Sequence, residues 1–209
     1  MSASNFVLYY PRIRVAYNFI PKNACSTLKA TFAFANDGRS FDEVPHEMDE
    51  LYREPPASLD GWTRIIVFRN PWRRLVSAYL DKMIGPELTP WRRMLTEEVF
   101  RTAGRHPEVM ERLSLRQFFD WVSEQPLDQT DAHWRPQSSL VAFDEYEHRF
   151  RVETLERDWT RTGFFAKFGA LRRFDHHGTS RATSMIGNEL ADMPGHWLCP
   201  PSAPLRQVG

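Results

Sequence analysis

The segment that decides the fold runs from residue 13 to residue 29 and reads Ile-Arg-Val-Ala-Tyr-Asn-Phe-Ile-Pro-Lys-Asn-Ala-Cys-Ser-Thr-Leu-Lys. Residues 13–20 are β-branched and aromatic enough to predict a strand, and Pro21 ends it. From Ser26 onward the apolar residues recur at helical spacing, and the Asn-Asp-Gly sequence at 36–38 predicts the end of that helix. A strand that enters a helix through a loop of small residues is the basic unit of an α/β fold.

A second unit of the same kind follows at residues 64–79. Residues 64–68 form a short apolar run, which is typical of a buried strand. Asn70 can cap the next helix and Pro71 can occupy its first turn. Two such units predict an α/β fold with a central, mainly parallel sheet flanked by helices, in one domain over residues 1–209. The loops that follow the two strands then lie at the carboxyl edge of the sheet, where such folds place their sites.

The remaining elements are shorter. The pattern predicts a short helix at 45–53, two helices between 91 and 125, and a capping box of Ser114 and Gln117 on the second of these. It also predicts short strands at 140–143 and 150–152, and one amphipathic helix over 154–168 that Gly169 closes. Two tryptophans, Trp91 and Trp121, are expected in the core, while Trp134 is the aromatic best placed to meet a sugar ring.

The composition excludes several classes of protein. The formal net charge of the 209 residues is zero, which gives no indication of nucleic acid or membrane partners. Two cysteines exclude a disulfide framework. No apolar run approaches the roughly 18–20 residues that a membrane span requires, and no signal peptide is visible. A cytoplasmic protein without an integral membrane segment is therefore expected.

The loop at residues 21–27 has the properties of an anion site. A helix that starts here presents unpaired backbone N–H groups and the positive end of its dipole. The small side chains of Ala24, Cys25 and Ser26 let an anion approach the backbone, and Ser26 and Thr27 add hydroxyl donors. Lys22 brings a full charge and is one of only four lysines among 27 basic residues. The sequence is not a Walker A motif, and an ordinary strand–helix turn is the alternative.

A second candidate is the segment 69–79, Arg-Asn-Pro-Trp-Arg-Arg-Leu-Val-Ser-Ala-Tyr. Arg69 ends a predicted buried strand, where an unpaired charge is unfavourable. It therefore needs either a bound anion or a structural carboxylate. Ser77 lies two turns into the following helix, from where it and Arg69 can hold one phosphate together.

These two motifs resemble those of the sulfotransferases that use 3′-phosphoadenosine 5′-phosphosulfate (PAPS). The similarity is greatest to the carbohydrate sulfotransferases of the HNK-1, chondroitin 4-O- and heparan 2-O type. Two further pieces are similar to that family: residues 131–137, Asp-Ala-His-Trp-Arg-Pro-Gln, and residues 143–158, which contain Glu-Thr-Leu-Glu-Arg-Asp. The four pieces keep the family's order, and the chain resembles a short, soluble, bacterial-type member, because animal members carry a Golgi membrane anchor.

The resemblance implies a P-loop-like sulfotransferase fold and a reaction. The enzyme would move a sulfuryl group from PAPS to a hydroxyl of an acceptor, a carbohydrate or glycoconjugate by analogy, and release 3′-phosphoadenosine 5′-phosphate (PAP), without a metal. In the family, the first loop binds the 5′-phosphosulfate, and the second segment binds the 3′-phosphate. The residues that the resemblance assigns to the nucleotide are Lys22, Asn23, Ala24, Cys25, Ser26, Thr27, Arg69 and Ser77, with Arg181 near the 3′-phosphate.

The catalytic residues implied are Lys22, which suits the leaving phosphate, and a histidine that acts as general base. His46 lies 23 residues before Arg69, much the spacing of the catalytic histidine in related sulfotransferases. His133 lies in the third motif and is the second candidate; its structural alternative is a histidine that fixes the turn at Trp134 through Asp131.

Two other classes of function remain open at the level of the sequence. One is a P-loop-like nucleotide kinase, against which stand the missing Walker A motif and the missing strand-end Asp for Mg²⁺. The other is a non-catalytic nucleotide-binding module of the same fold. No motif encodes the identity of the acceptor or the oligomeric state.

Overall fold

The structure of the chain is a computed structural model that describes residues 3–40, 46–84, 97, 100–101, 114–126 and 130–173. Two compact units are present. The first, Met1–Arg74 with Pro126–His176, holds the sheet, and the second contains Leu75–Gln125. A single domain over residues 1–209 stays a prediction.

A four-stranded mixed sheet forms the centre of the first unit. Its strands, in the order in which they lie side by side, are β1 (Val7–Tyr10), β2 (Val15–Asn18), β3 (Thr63–Phe68) and β4 (His148–Arg151). β2 pairs with β3 and β3 pairs with β4 in parallel, as the sequence predicts. β1 pairs with β2 antiparallel and was not predicted. The turn that joins them places Arg14 at φ 51° and lacks the Asn-Gly or Asp-Gly signal of a hairpin.

Six α-helices are described. They are α1 (Cys25–Asp37), α2 (His46–Leu51), α3 (Pro71–Tyr79), α4 (Leu115–Glu124), α5 (Leu155–Arg161) and α6 (Phe164–Phe168). The predicted end of α1 is confirmed, since Gly38 lies in the left-handed region at φ 76° and its N–H donates to the Phe34 carbonyl. The capping box of α4 is also confirmed. Most of the first helix predicted between 91 and 125 lies outside the described residues. None of the helices in the described ranges has the length and apolar composition that crossing a bilayer requires.

Two predicted elements are wrong. The single helix over 154–168 is broken at Gly163, which has φ 79°, so α5 and α6 are separate. The predicted strand at 140–143 is absent, and a 3₁₀ turn (Gln137–Leu140) precedes irregular chain there. The backbone of this segment bonds the side chain of Asn18 instead of a neighbouring strand. The Asn18 side chain donates to the Leu140 carbonyl at 3.1 Å and accepts from the Ala142 N–H at 2.9 Å.

An aromatic core holds α1 against the sheet. Phe32 of α1 is fully buried, and its ring lies 5.5 Å from the ring of Tyr17 on β2 and 5.8 Å from that of Trp159 on α5. Trp159 is 1% exposed and donates its indole N–H to the Gly169 carbonyl. Burial of each such ring contributes on the order of 2–3 kcal/mol. The core therefore fixes the start of α1 just beyond the end of β2, at the carboxyl edge of the parallel strands.

Candidate active site

Helix α1 begins without a side-chain cap. Its N-cap is Ala24, at φ 57° and ψ 28°, and no side chain accepts a hydrogen bond from the first turn. Lys22, two residues earlier, is also in the left-handed region at φ 70°. This conformation costs roughly 1–2 kcal/mol for a residue with a Cβ. The loop is therefore strained, and the N–H groups at the start of α1 are left without a capping side chain.

Gln137 clamps the loop to the end of β3. Its side-chain oxygen accepts from Asn23 Nδ2 at 2.7 Å and from the Arg69 N–H at 3.0 Å, and its amide group donates to the Arg69 carbonyl at 2.8 Å. Asn23 Nδ2 also donates to the Val67 carbonyl at 2.8 Å. Asn23 is fully buried, so its side chain shapes the loop. A direct contact of Asn23 with a nucleotide stays a prediction, and this arrangement does not favour it.

Arg69 carries a partly buried positive charge beside this loop. Its Nη1 donates to the Lys22 carbonyl at 2.8 Å, and its Nε has no hydrogen-bond partner among the described residues. Burial lowers the pKa of Arg69, an effect that the nearby Glu153 carboxylate opposes. The described residues include no carboxylate in ion-pair contact with the guanidinium, so the structural-carboxylate alternative finds no support in them.

Arg74 is the second cation of the site and is 4% exposed. Its three nitrogen atoms donate to the carbonyls of Pro21 at 2.9 Å, Arg135 at 2.7 Å and Ala132 at 2.5 Å. Burial lowers its pKa to about 10, which keeps it protonated near neutrality. The loop at the start of α1 is therefore flanked by two guanidinium groups whose hydrogen bonds within the described residues go to backbone carbonyls.

His133 is held by a carboxylate. Its Nδ1 lies 2.6 Å from Asp131 Oδ1, and the same oxygen accepts from the His133 backbone N–H at 2.8 Å. When Nδ1 carries the proton and donates to Asp131, Nε2 is the basic nitrogen, which is the state that a general base requires. The His133 side chain is 28% exposed, so it is reachable from solvent.

A cleft of about 430 Å³ opens beside the start of α1. Ala24 and Thr27 form one side of it, and the segment 152–157 after β4 forms the other, with Leu171 and Arg173. Its lining mixes apolar side chains with an ion pair between Arg173 and Glu156. A volume of this size lies in the range of small-molecule sites.

Three of the predicted site residues, His46, Arg181 and Ser77, stay predictions. His46 is the first residue of α2, but its side chain lies outside the described residues, as does Arg181. Ser77 is buried on α3 and belongs to the second unit. Trp134 is only 5% exposed, so the prediction of an aromatic surface for a sugar is wrong for this residue.

Three residues with clear roles were missed in the sequence. Gln137 and Arg74 belong to recognised motifs but were given no function. Glu153 lines the cleft and accepts from the Asn70 N–H at 2.8 Å. A signal for them was present in the sequence, since each is a polar or charged residue inside one of the motifs. In the structure their side chains form hydrogen bonds that join one motif to another.

The chain matches the model of the sulfotransferase family over residues 7–191 and belongs to that family. The match includes all four motifs and every element described above from β1 to α6. No curated protein and no solved structure matches the chain.

Proposed function

We propose that this sulfotransferase moves the sulfuryl group of PAPS to a hydroxyl of an acceptor at the carboxyl edge of its sheet. The observation that carries the proposal is the pair of guanidinium groups, of the partly buried Arg69 and the buried Arg74, beside the uncapped start of α1. Two positive charges and a helix dipole, with no carboxylate in ion-pair contact with either guanidinium among the described residues, favour a ligand with several negative charges. PAPS is such a ligand.

The donor nucleotide fits the loop and the cleft together. The phosphosulfate lies against the N–H groups of Cys25, Ser26 and Thr27, which are partly exposed at the start of α1. The adenosine occupies the cleft between Thr27 and the segment 152–157. Arg69, whose Nε has no partner among the described residues, binds the 3′-phosphate. The predicted contacts of Ser77 and Arg181 belong to the same proposal and rest on the family resemblance.

The chemistry requires a base and a group that stabilises the leaving phosphate. His133 Nε2 takes the proton of the acceptor hydroxyl, whose oxygen forms a bond to sulfur while the bond from sulfur to the 5′-phosphate breaks. Charge then develops on the phosphate of PAP, where the Lys22 ammonium neutralises it. We favour His133 over His46 because Asp131 Oδ1 lies 2.6 Å from His133 Nδ1, a contact that favours the tautomer whose basic nitrogen is Nε2. A carbohydrate is the first class of acceptor to test, on the strength of the four motifs.

Binding and transfer measurements test the proposal. Calorimetry should show tighter binding of PAP than of adenosine 5′-phosphate, and ³⁵S-labelled PAPS should label at least one member of a panel of oligosaccharides, glycolipids and small alcohols. We expect no loss of transfer in EDTA. Stabilisation by ATP with Mg²⁺, without stabilisation by PAP, would instead support the kinase alternative. Binding of PAP without transfer to any acceptor would support the non-catalytic module.

A further inference from the structure

Arg74 joins the two segments that carry the proposed catalytic groups. Its Nε bonds the carbonyl of Pro21, which directly precedes Lys22. Its Nη1 and Nη2 bond the carbonyls of Arg135 and Ala132, which lie on either side of His133. Because the guanidinium is planar and rigid, one side chain fixes the separation of the two segments.

On the loop side, Arg74 helps to set the direction of Lys22. No peptide bond among the described residues is cis, and the C=O and N–H of a trans peptide point in opposite directions. Holding the Pro21 carbonyl therefore fixes the direction of the Lys22 N–H. Arg69 holds the next carbonyl, that of Lys22, and the Asn23 N–H of that peptide donates to the Ile20 carbonyl at 3.1 Å. Both peptides around Lys22 are held from outside, which stabilises its unfavourable φ of 70°.

On the histidine side, Arg74 holds a short turn. The Asp131 carbonyl accepts from the Trp134 N–H at 3.2 Å and from the Arg135 N–H at 2.8 Å, which closes the turn upon itself. The hydrogen bonds of Arg74 to the Arg135 and Ala132 carbonyls link this turn to α3. Removal of Arg74 would leave the Asp131–His133 pair intact and free the turn to shift relative to Lys22.

We propose that Arg74 is a positioning residue, which sets the placement of Lys22 relative to His133 without touching the substrate; this inference rests on the proposed function. A positive charge at this position is not enough to place the two segments, and neither is a side chain that only fills the space. The side chain has to donate to the carbonyls of Pro21, Arg135 and Ala132 at the same time. A lysine at this position keeps the charge but lacks the rigid fork of donors. Its single ammonium group cannot hold both segments in the present geometry.

The first test compares Arg74→Lys with Arg73→Lys, its exposed neighbour on α3. We expect Arg74→Lys to lower kcat by about 10²-fold, the scale for a displacement of reacting groups by about 1 Å, with the Kd for PAP nearly unchanged. Arg73→Lys should keep the wild-type kcat and Kd. Equal kcat in the two variants, or a loss in Arg74→Lys that lies entirely in nucleotide affinity, would overturn the proposal.

A double-mutant cycle separates positioning from a general structural role. If Arg74 acts through Lys22, the change Arg74→Lys should lower kcat much less in a Lys22→Ala background than in the wild type. Independent, multiplicative losses would show that Arg74 supports activity by another route and would overturn the proposal.

Hydrogen exchange provides a readout that does not depend on activity. In Arg74→Lys, the amides of residues 22–28 and 131–135 should exchange faster together, while those of α5 stay as in the wild type. Faster exchange in only one of the two segments would contradict the coupling. If neither Arg74→Lys nor Arg74→Gln folded, Arg74 would be a determinant of the fold only. If the wild-type protein transferred no sulfuryl group, the proposed function would be wrong. The hydrogen-exchange measurement would still decide whether Arg74 couples the two segments.

Discussion

Helices α1 and α3 both follow a parallel strand, and an asparagine stands near the start of each, but the two asparagines are used in opposite ways. Asn70 accepts the N–H groups of Trp72 at 3.0 Å and Arg73 at 3.2 Å, so it caps α3. Asn23 turns its amide inward, toward Val67 and Gln137, and α1 has no side-chain cap.

The difference separates a helix start built for stability from one that the proposed function assigns to a ligand. The start of α3 meets its hydrogen-bonding needs within one residue and without backbone strain, whereas the start of α1 keeps positive φ values at Lys22 and Ala24. Such strain persists only when the surroundings impose it, and here Arg69, Arg74 and Gln137 do so. Changes on the α1 side should therefore affect the chemistry, and changes to the α3 cap should affect stability.

The largest effect is expected for His133, beside the α1 loop. His133→Ala should lower kcat by about 10²–10⁴-fold, the range for loss of a general base, and leave the affinity for PAP nearly intact. Steady-state kinetics and calorimetry on the same preparation check this. His46→Ala is the paired variant: a dead His46→Ala with an active His133→Ala would move the base to His46.

Lys22→Ala should lower kcat by about 10²–10³-fold, because the ammonium group meets a charge that develops only in the transition state. Nucleotide affinity should fall much less. Single-turnover transfer from labelled PAPS, set against calorimetry with PAP, gives both numbers. Lys167→Ala, which removes another of the four lysines far along the chain, is the control and should be silent. Equal losses in affinity and rate for Lys22→Ala would reduce its role to ground-state binding.

Arg69→Ala should weaken PAP binding by about 1.5–3 kcal/mol, the scale of a charge-assisted hydrogen bond. The loss should largely disappear when adenosine 5′-phosphate, which has no 3′-phosphate, replaces PAP in the calorimeter. If the wild-type protein bound both nucleotides equally well, the assignment of Arg69 to the 3′-phosphate would be wrong.

On the α3 side, Asn70→Ala should lower the free energy of unfolding by about 1 kcal/mol through loss of the cap. Asn70→Asp keeps an acceptor oxygen at the same place and should stay close to the wild type in denaturant titrations. If Asn70→Ala left the free energy of unfolding unchanged, the cap would not stabilise α3, and the contrast between the two helix starts would be wrong.

The smallest effect has the opposite sign. Ala24→Gly should raise the free energy of unfolding by about 0.5–1 kcal/mol, because glycine adopts φ 57° without strain and is a better N-cap than alanine. Ala35→Gly within α1 is the matched control and should lower it by about 1 kcal/mol. Two variants that are destabilised alike would show that Ala24 is not strained.

Much of the fold could be predicted because its signals are local. The apolar run before Asn70, the Asn-Pro start of α3, the Gly38 end of α1 and the Ser114–Gln117 box each act within one turn of chain, and each is confirmed. The failures have a shared cause: β1, the chain at 140–143 and the break at Gly163 depend on partners distant in sequence or on a single backbone angle. Hydrophobic periodicity in the sequence reveals neither a distant partner nor a single backbone angle.

The sequence by itself determined the two strand–loop–helix units, the order of the four motifs and the candidates Lys22, Arg69, His46 and His133. Only the tertiary structure decided how these candidates are held. Arg74 and Gln137 bond carbonyls and amides more than 40 residues away along the chain, and Asp131 Oδ1 lies 2.6 Å from His133 Nδ1. The reason is physical: a motif specifies which groups are present, but the direction of a carbonyl or a ring nitrogen is set by the partner that folding brings to it.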